Sequence, residues 1–161
     1  MFFIKLSNIL IIICSLFLLG LKIYNSVEYK EHLKKIDNLV YDDVSTKYIG
    51  YIEVERLGVK RGIVKGINDD ILNANDVGFE IKNNNIILAG HSIENVFGKL
   101  HNIRLDDTIY LYLNKKKETY KVTSIKVVNK ANVEVLNNPL NLVTCMYNPN
   151  ERLVIGAKKN T

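Results

Sequence analysis

Three residues next to apolar runs of this sequence have side chains suited to acyl transfer through a thiol. Cys145 ends the apolar run 142–145, and Arg152 opens another apolar run after a short polar turn. A hairpin would bring these two segments within about 5 Å of each other, so that the cysteine and the arginine share a pocket. The third residue, His91, follows the apolar run 86–89 and precedes the cysteine by 54 positions (145 − 91 = 54).

The chemistry of these three side chains is complementary. A thiolate is the nucleophile, and a neighbouring imidazolium stabilises it and later protonates the leaving amine, the role expected of His91 beside Cys145. A guanidinium keeps its proton at any working pH, so Arg152 is unsuited to be a base. It fits a donor to the oxyanion of the tetrahedral intermediate, a contribution worth about 3 kcal/mol in other enzymes.

Each of these residues also has an ordinary structural interpretation. A cysteine at the end of an apolar strand is commonly a small buried hydrophobe, and a lone arginine is commonly an edge-strand charge. For His91, the preceding Gly90 favours a site, because a residue without Cβ lets the backbone approach a partner closely. The competing histidine, His101, lies in the string KLHNI, which indicates a packing or surface residue.

The composition excludes several classes of function. The chain has 161 residues with 22 basic and 17 acidic side chains, and its net charge is +5. Most of the basic residues are scattered along the chain, and the exception is the short run 115–117. A short run of this kind is typical of a solvated hairpin tip and does not indicate nucleic-acid binding. Cys14 lies in the apolar N-terminus, so no disulfide with Cys145 is expected. The absence of CxxC and HExxH spacings predicts no metal site, and no cofactor is indicated.

The N-terminus is predicted to be a membrane anchor. Residues 2–24 are almost wholly apolar, and residues 6–24 reach the roughly 20 residues that a bilayer crossing needs. No small-residue cleavage site follows, so residues 1–24 are interpreted as an uncleaved anchor and not as a signal peptide. Residues 25–47 are expected to form a juxtamembrane helix or stalk. The count of flanking lysines alone places the following domain on the cytoplasmic side.

From residue 48 onward the sequence changes to short β-type runs. Strands are predicted at residues 48–54, 59–65, 86–89, 108–113, 119–128, 133–136, 142–145 and 153–157. Short helices are predicted at 68–75, with Asn68 as the N-cap, and at 93–103. Residues 82–85 are predicted to form a polar loop. So many short strands predict a mainly β domain that closes into a barrel, because closure removes exposed strand edges.

The ordered motifs LAGHS, LVTC and ERLVIGA resemble those of the sortase family of cysteine transpeptidases. The resemblance covers residues 48–158 and includes IGYIEVERLGV, DVGF and LDDTIYLY. It implies an eight-stranded sortase-like β-barrel with short helices over residues 48–161, preceded by the N-terminal transmembrane helix. It also implies that the catalytic residues are His91, Cys145 and Arg152. The substrate-groove residues that it implies are Ala89, Gly90 and Thr144.

The resemblance further implies a reaction and its partners. A Leu-Pro-x-Thr-Gly-like sorting signal on a surface protein is cleaved through a thioacyl intermediate, which an amine of the cell-wall precursor resolves. The implied location is the cell membrane, with a single span and the catalytic domain on the extracellular face. The interval from Cys145 to Arg152 is short for the family (152 − 145 = 7), and residues 133–139 leave no room for the long helix of class B enzymes. A single-span class A or class D-like enzyme fits best.

Three other interpretations remain open. A non-catalytic cell-surface barrel that binds a peptide would hold Cys145 as a buried, unreactive thiol. An L,D-transpeptidase also places a histidine before a cysteine in a β-rich domain. Its cysteine is expected between glycine and arginine, whereas Thr144 and Met146 flank Cys145 here. Caspase-like proteases require a QACxG-type context and a larger α/β domain.

Overall fold

The computed structural model describes residues 2–41 and 47–160, and it divides into two units, Met1–Lys34 and Lys35–Thr161. A single helix, α1 (Phe2–Tyr41), includes the predicted anchor from residue 2 onward and continues into the predicted stalk. Residues 42–46 of that predicted stalk lie outside the described residues. Within Leu10–Asp37 an 18-residue window has a mean hydropathy of 2.0, so this helix is long and apolar enough to cross a membrane. The expected N-terminal apolar helix is therefore present.

The second unit contains a closed β-barrel. Its eight strands are β1 (Gly50–Val54), β2 (Val59–Lys65), β3 (Val77–Lys82), β4 (Asn85–Ala89), β5 (Thr108–Leu113), β6 (Lys116–Asn129), β7 (Leu140–Cys145) and β8 (Glu151–Lys159). Around the barrel they run in the order β1-β2-β3-β4-β7-β8-β6-β5, and β1 pairs with β5 to close it. Only β2–β3 and β4–β7 are parallel pairs among these strands. The predicted eight-stranded barrel is confirmed.

The barrel interior is filled by alternate residues of the strands, as the two-residue period of a strand requires. Fully buried examples are Ile52, Val54, Ile63, Leu88, Ile109, Leu140, Leu142 and Ile155. The connection after β4 adds Val96, Phe97 and Leu100 to this core, each with no exposed surface. The sequence predicted a helix packing these three side chains at 93–103. The packing is confirmed, although the helix is a shorter 3₁₀ helix, Gly98–Asn102.

Two predicted local structures differ from those observed. The predicted strand at 133–136 is wrong, because Lys130–Val135 forms short 3₁₀ turns with a kink at Asn132. The first of these turns is capped by Asn129, with Ala131 N donating to Asn129 Oδ1 at 2.9 Å. The eighth strand is instead β3, which pairs with both β2 and β4. The expected loop at 82–85 is a two-residue turn at Asn83 and Asn84, whose φ values are 52° and 63°. Asparagine tolerates this left-handed backbone, which is the conformation that a tight hairpin needs.

The helix predicted at 68–75 is confirmed as α2 (Asp69–Asn73). Its N-cap is Asn68, whose side-chain oxygen accepts a hydrogen bond from Ile71 N at 2.9 Å. This bond satisfies one of the backbone donors that a helix leaves unpaired at its start. The end of α2 lies beside the residues that follow β4, since Asn73 Oδ1 is 3.5 Å from His91 Nε2.

The last part of α1 belongs to the same unit as the barrel. Ile36 has no exposed surface, and the adjacent Asp37 Oδ1 accepts a hydrogen bond from Lys60 Nζ on β2 at 2.8 Å. Burial of an isoleucine removes a large apolar surface from water. Residues 35–37 therefore contribute to the stability of the barrel unit.

Candidate active site

The three chemically suited residues lie at the ends of three neighbouring strands, β4, β7 and β8. Cys145 is the last residue of β7, Arg152 is the second residue of β8, and His91 comes two positions after the end of β4. The hairpin that the sequence predicted is present, and Cys145 and Arg152 are direct cross-strand partners in it.

The Cys145–Arg152 pair is of the non-hydrogen-bonded kind. Met146 N donates to Glu151 O at 3.2 Å, which is the main-chain bond that flanks such a pair in an antiparallel ladder. Side chains in this arrangement approach closely, with Cβ atoms about 4.5–5.5 Å apart. The next residues along each strand, Thr144 and Leu153, are 2% and 5% exposed, so the cysteine and the arginine lie on the opposite, outer face of the barrel.

The β4–β7 register, continued two residues past the end of β4, brings His91 level with Cys145. Ala89 pairs with Val143 in parallel register, and Gly90 N continues the ladder by donating to Val143 O at 3.1 Å. The offset of that register equals the interval from His91 to Cys145 (143 − 89 = 54; 145 − 91 = 54). Since neighbouring strands are about 4.8 Å apart, this extended register predicts one row made by the three residues. We call His91, Cys145 and Arg152 the outer row; all three are partly exposed.

The three residues expected in a substrate groove occupy different positions. Ala89 is partly exposed and lies on the outer face, two residues before His91, and its partner Val143 lies two residues before Cys145. Thr144 is buried, and its hydroxyl donates to the Gly90 carbonyl at 2.8 Å, which joins β7 to β4 beneath the outer row. Gly90 is also buried, and a Cβ placed there would lie 2.9 Å from the ring of Phe97.

One polar contact is made by His91, and a second is made by the residue that follows it. The 3.5 Å separation between His91 Nε2 and Asn73 Oδ1 is at the limit of a hydrogen bond. The next residue, Ser92, has its Oγ 2.8 Å from His101 Nε2, and both of these side chains are exposed. No motif in the sequence indicated Asn73, because its approach to His91 depends on how α2 packs and not on local spacing.

The guanidinium of Arg152 is held by the main chain of the β7–β8 turn. Its Nη1 donates to Pro149 O at 2.9 Å and to Glu151 O at 2.8 Å. Both hydrogens of Nη1 are therefore occupied. Within residues 2–41 and 47–160, no group accepts a hydrogen bond from its Nε or Nη2, which together carry three further N–H donors. The sequence did not indicate these carbonyl contacts.

Among the described residues, no three His, Cys, Asp or Glu side chains are grouped so that they could hold a metal ion.

A closed, mainly β barrel with this order of strands is characteristic of a known class of protein. The sortase domain family matches residues 52–160, more than half of the chain (160 − 52 + 1 = 109 of 161). The chain belongs to the sortase family, whose members are cysteine transpeptidases.

Solved structures with the same fold come from more than one sortase class. Sortase C from Clostridium perfringens SM101 is 26% identical with a TM-score of 0.62, over 83% of this chain and 90% of that one. Sortase C from Clostridium perfringens with the C-terminal cell wall sorting motif is 25% identical with a TM-score of 0.63, over the same 83% and 90%. Sortase A from Corynebacterium diphtheriae shares the fold at 20% identity and a TM-score of 0.64, over 80% of this chain and 68% of that one. A search of curated proteins finds no match.

Proposed function

We propose that this sortase is a membrane-anchored enzyme that cleaves a Leu-Pro-x-Thr-Gly-like sorting signal and transfers the protein to an amine of the cell-wall precursor. The observation that supports this most directly is the cross-strand pairing of Cys145 with Arg152, to which the β4–β7 register, continued past Ala89, adds His91. In this proposal residues 1–24 are the anchor, 25–47 the stalk and 48–161 the catalytic barrel.

The proposed reaction has two halves. The Cys145 thiolate attacks the carbonyl carbon of the threonine, and Arg152 donates hydrogen bonds to the oxygen as it becomes an oxyanion. His91, as the imidazolium, protonates the leaving glycine amine, so the peptide bond breaks and a thioester remains on Sγ. The acceptor amine then attacks the thioester and loses a proton to His91, and the thiolate leaves.

A groove for the signal is proposed along the outer faces of β4 and β7. The position next to the outer row is occupied by Ala89 and its register partner Val143, both partly exposed, whereas Val154, opposite Val143 on β8, is buried. Alternate residues of a strand are about 6.6–6.8 Å apart, which matches the spacing of alternate residues in an extended peptide. A small apolar surface at this distance from Cys145 suits an apolar residue of the signal that precedes the threonine. Gly90 and Thr144 shape this groove from below by holding the two strands together.

The substrate and the location are supported by separate observations. Sortase C from Clostridium perfringens has been solved with the C-terminal cell wall sorting motif, which favours a similar signal here. The N-terminal unit exposes large apolar side chains such as Leu10 (64%) and Phe17 (66%), as a helix surrounded by lipid does. We place the barrel on the extracellular face because a cell-wall precursor amine is used there, although the lysine distribution favours the reverse orientation.

The test uses the full chain in detergent with Cys14→Ser, which leaves Cys145 as the single thiol of the protein. The protein is mixed with quenched Leu-Pro-x-Thr-Gly-like peptides, with and without an amine acceptor, and adducts are identified by mass spectrometry. We expect an acyl-enzyme on Cys145 that the amine resolves, and no adduct with scrambled peptides. Absence of any adduct, together with a thiol that iodoacetamide does not alkylate, would favour the peptide-binding barrel.

A further inference from the structure

The turn between β7 and β8, residues 146–150, is built around an asparagine and a proline. Glu151 N donates to Asn148 O at 3.0 Å, which makes residues 148–151 a β-turn with Pro149 at its second position. Asn150 keeps a negative φ, so the turn is of type I. The side-chain oxygen of Asn148 accepts from Asn150 N at 3.1 Å, the contact by which an asparagine at the first position stabilises such a turn.

The same turn is also fixed from a neighbouring strand end. Asn150 O accepts a hydrogen bond at 2.7 Å from the N of Lys130, the residue that follows the end of β6. The bond from Met146 N to Glu151 O closes the ladder on the other side at 3.2 Å. These bonds constrain the peptide groups on both sides of Pro149. Because Pro149 O and Asn150 N belong to one peptide group, the bond from Asn150 N to the Asn148 side chain sets the direction of the Pro149 carbonyl.

That carbonyl is one of two acceptors that hold Arg152. Because Pro149 O and Glu151 O bind the two hydrogens of one guanidinium nitrogen, at 2.9 and 2.8 Å, they fix the plane of the group as well as its position. An arginine side chain that is already ordered loses less conformational entropy when it binds a further acceptor. The Nε and Nη2 donors are left for such an acceptor.

We infer that Asn148 is a positioning residue for Arg152, acting through the carbonyl of Pro149. The inference rests on the proposed function, in which Arg152 stabilises the oxyanion beside Cys145. Without the Asn148 side chain the turn keeps its main-chain bond to Glu151 but loses the contact that orders the Pro149 and Asn150 peptide. A displacement of about 1 Å of a group that binds the transition state can cost as much as a hundredfold in rate.

Kinetics of three variants test the inference in the full-length Cys14→Ser protein in detergent. Asn148→Ala is expected to lower the kcat for acylation of Cys145 about tenfold, with little change in KM. Asn148→Asp keeps the acceptor oxygen and is expected to restore kcat to within about twofold. Asn150→Ala is the matched control, since the hydrogen bonds of Asn150 in the described structure involve its main chain. An Asn148→Ala protein with wild-type kcat, or an Asn148→Asp protein as slow as the alanine variant, overturns the inference.

A measurement that needs no activity separates this inference from the proposed function. Arginine labelled with ¹⁵N reports the guanidinium directly, and the Arg152 signals are assigned by their loss in Arg152→Lys. In the parent protein we expect the Nη1 hydrogens to be distinct, because two carbonyls hold them. Asn148→Ala should average these signals, whereas Asn148→Asp and Asn150→Ala should not. Unchanged signals in Asn148→Ala reject the positioning role even for a protein that forms no acyl-enzyme, whereas failure to form an acyl-enzyme rejects only the proposed function.

Discussion

Cys145 and Arg152 face each other directly across β7 and β8, as a non-hydrogen-bonded pair on the outer surface of the barrel. Their Cβ atoms are therefore in the closest class of cross-strand neighbours, about 4.5–5.5 Å apart. The five-residue turn at 146–150 sets this register. A change of one residue in the pairing would place the two side chains on opposite faces of the sheet, so the length of this turn is a condition of the outer row.

Cys145→Ala is expected to abolish the acyl-enzyme and the transpeptidation product. The substitution removes the nucleophile while leaving the fold intact, because Cys145 is only partly buried at the end of β7. Mass spectrometry after incubation with a reactive peptide checks the first point, and thermal unfolding checks the second. The Cys14→Ser protein is the matched control and should retain activity. Appreciable transpeptidation by Cys145→Ala would reject the nucleophile assignment.

Arg152→Lys is expected to lower the kcat for acylation by about a hundredfold, although the positive charge is kept. The ammonium group is a point donor and cannot bind two turn carbonyls while presenting further donors in a plane, as the guanidinium can. Steady-state kinetics with a quenched peptide measures the loss. The exposed Arg104→Lys is the matched control. A lysine variant with normal kcat would mean that Arg152 supplies only charge.

Gly90→Ala is expected to destabilise the barrel by about 1–3 kcal/mol and to reduce activity. The added Cβ would lie 2.9 Å from the Phe97 ring and 3.0 Å from Val96, both fully buried, so the chain next to His91 must shift. Denaturant unfolding and peptide cleavage measure the two effects. Gly20→Ala serves as the comparison, since a Cβ there meets nothing within 4 Å. If both variants unfold alike and cleave alike, the close packing at Gly90 has no consequence.

Ile36→Ala is expected to lower the free energy of unfolding of the barrel unit by about 2–5 kcal/mol. The reason is that Ile36 has no exposed surface, so its truncation leaves a cavity. The same substitution at Ile81, which is 60% exposed, should change stability by no more than about 0.5 kcal/mol. Chemical denaturation of the full chain in detergent provides the comparison, and equal values for the two variants would contradict the burial of Ile36.

Asp107→Asn is expected to weaken the dependence of stability on acid pH. Arg56 donates to both oxygens of Asp107 at 2.6 Å, and this hydrogen bonding, with a further bond from Arg104 N, holds the pKa of the Asp107 carboxyl below its usual range. A lowered pKa in the folded state means that the stabilisation is present above the unfolded pKa of about 3.9 and is lost as pH falls through the folded value.

Unfolding measured between pH 7 and pH 2 checks this sign. Asp107→Asn should be less stable than the parent at neutral pH, and the two should converge in acid. The exposed Glu94→Gln is the control and should follow the parent curve. A constant difference between Asp107→Asn and the parent at all pH values would show that the carboxylate charge is not what stabilises this contact.

Much of the barrel was accessible from sequence because its signals are local. The alternation of Ile109, Leu111 and Leu113 with tyrosines predicts β5, and Asn68 followed by two acidic residues predicts α2. The predictions failed where local propensity and tertiary pairing disagree. The β-branched residues at 133–136 favour a strand, yet Lys130–Val135 forms 3₁₀ turns with a kink at Asn132. The Asn83–Asn84 dipeptide was a usable sign of a tight hairpin, and it would have indicated β3.

The sequence by itself determined the residue types of the outer row, the hairpin between Cys145 and Arg152, and the ordered motifs that resemble the sortase family. Only the tertiary structure decided the β4–β7 register that brings His91 towards Cys145, the approach of Asn73 to His91, and the two turn carbonyls that hold Arg152. The physical reason is the range of the interactions. Hairpin pairing and side-chain alternation are encoded within about ten residues. The parallel register of β4 and β7 joins segments 54 positions apart (143 − 89 = 54), and it depends on the burial of both strands in the closed barrel.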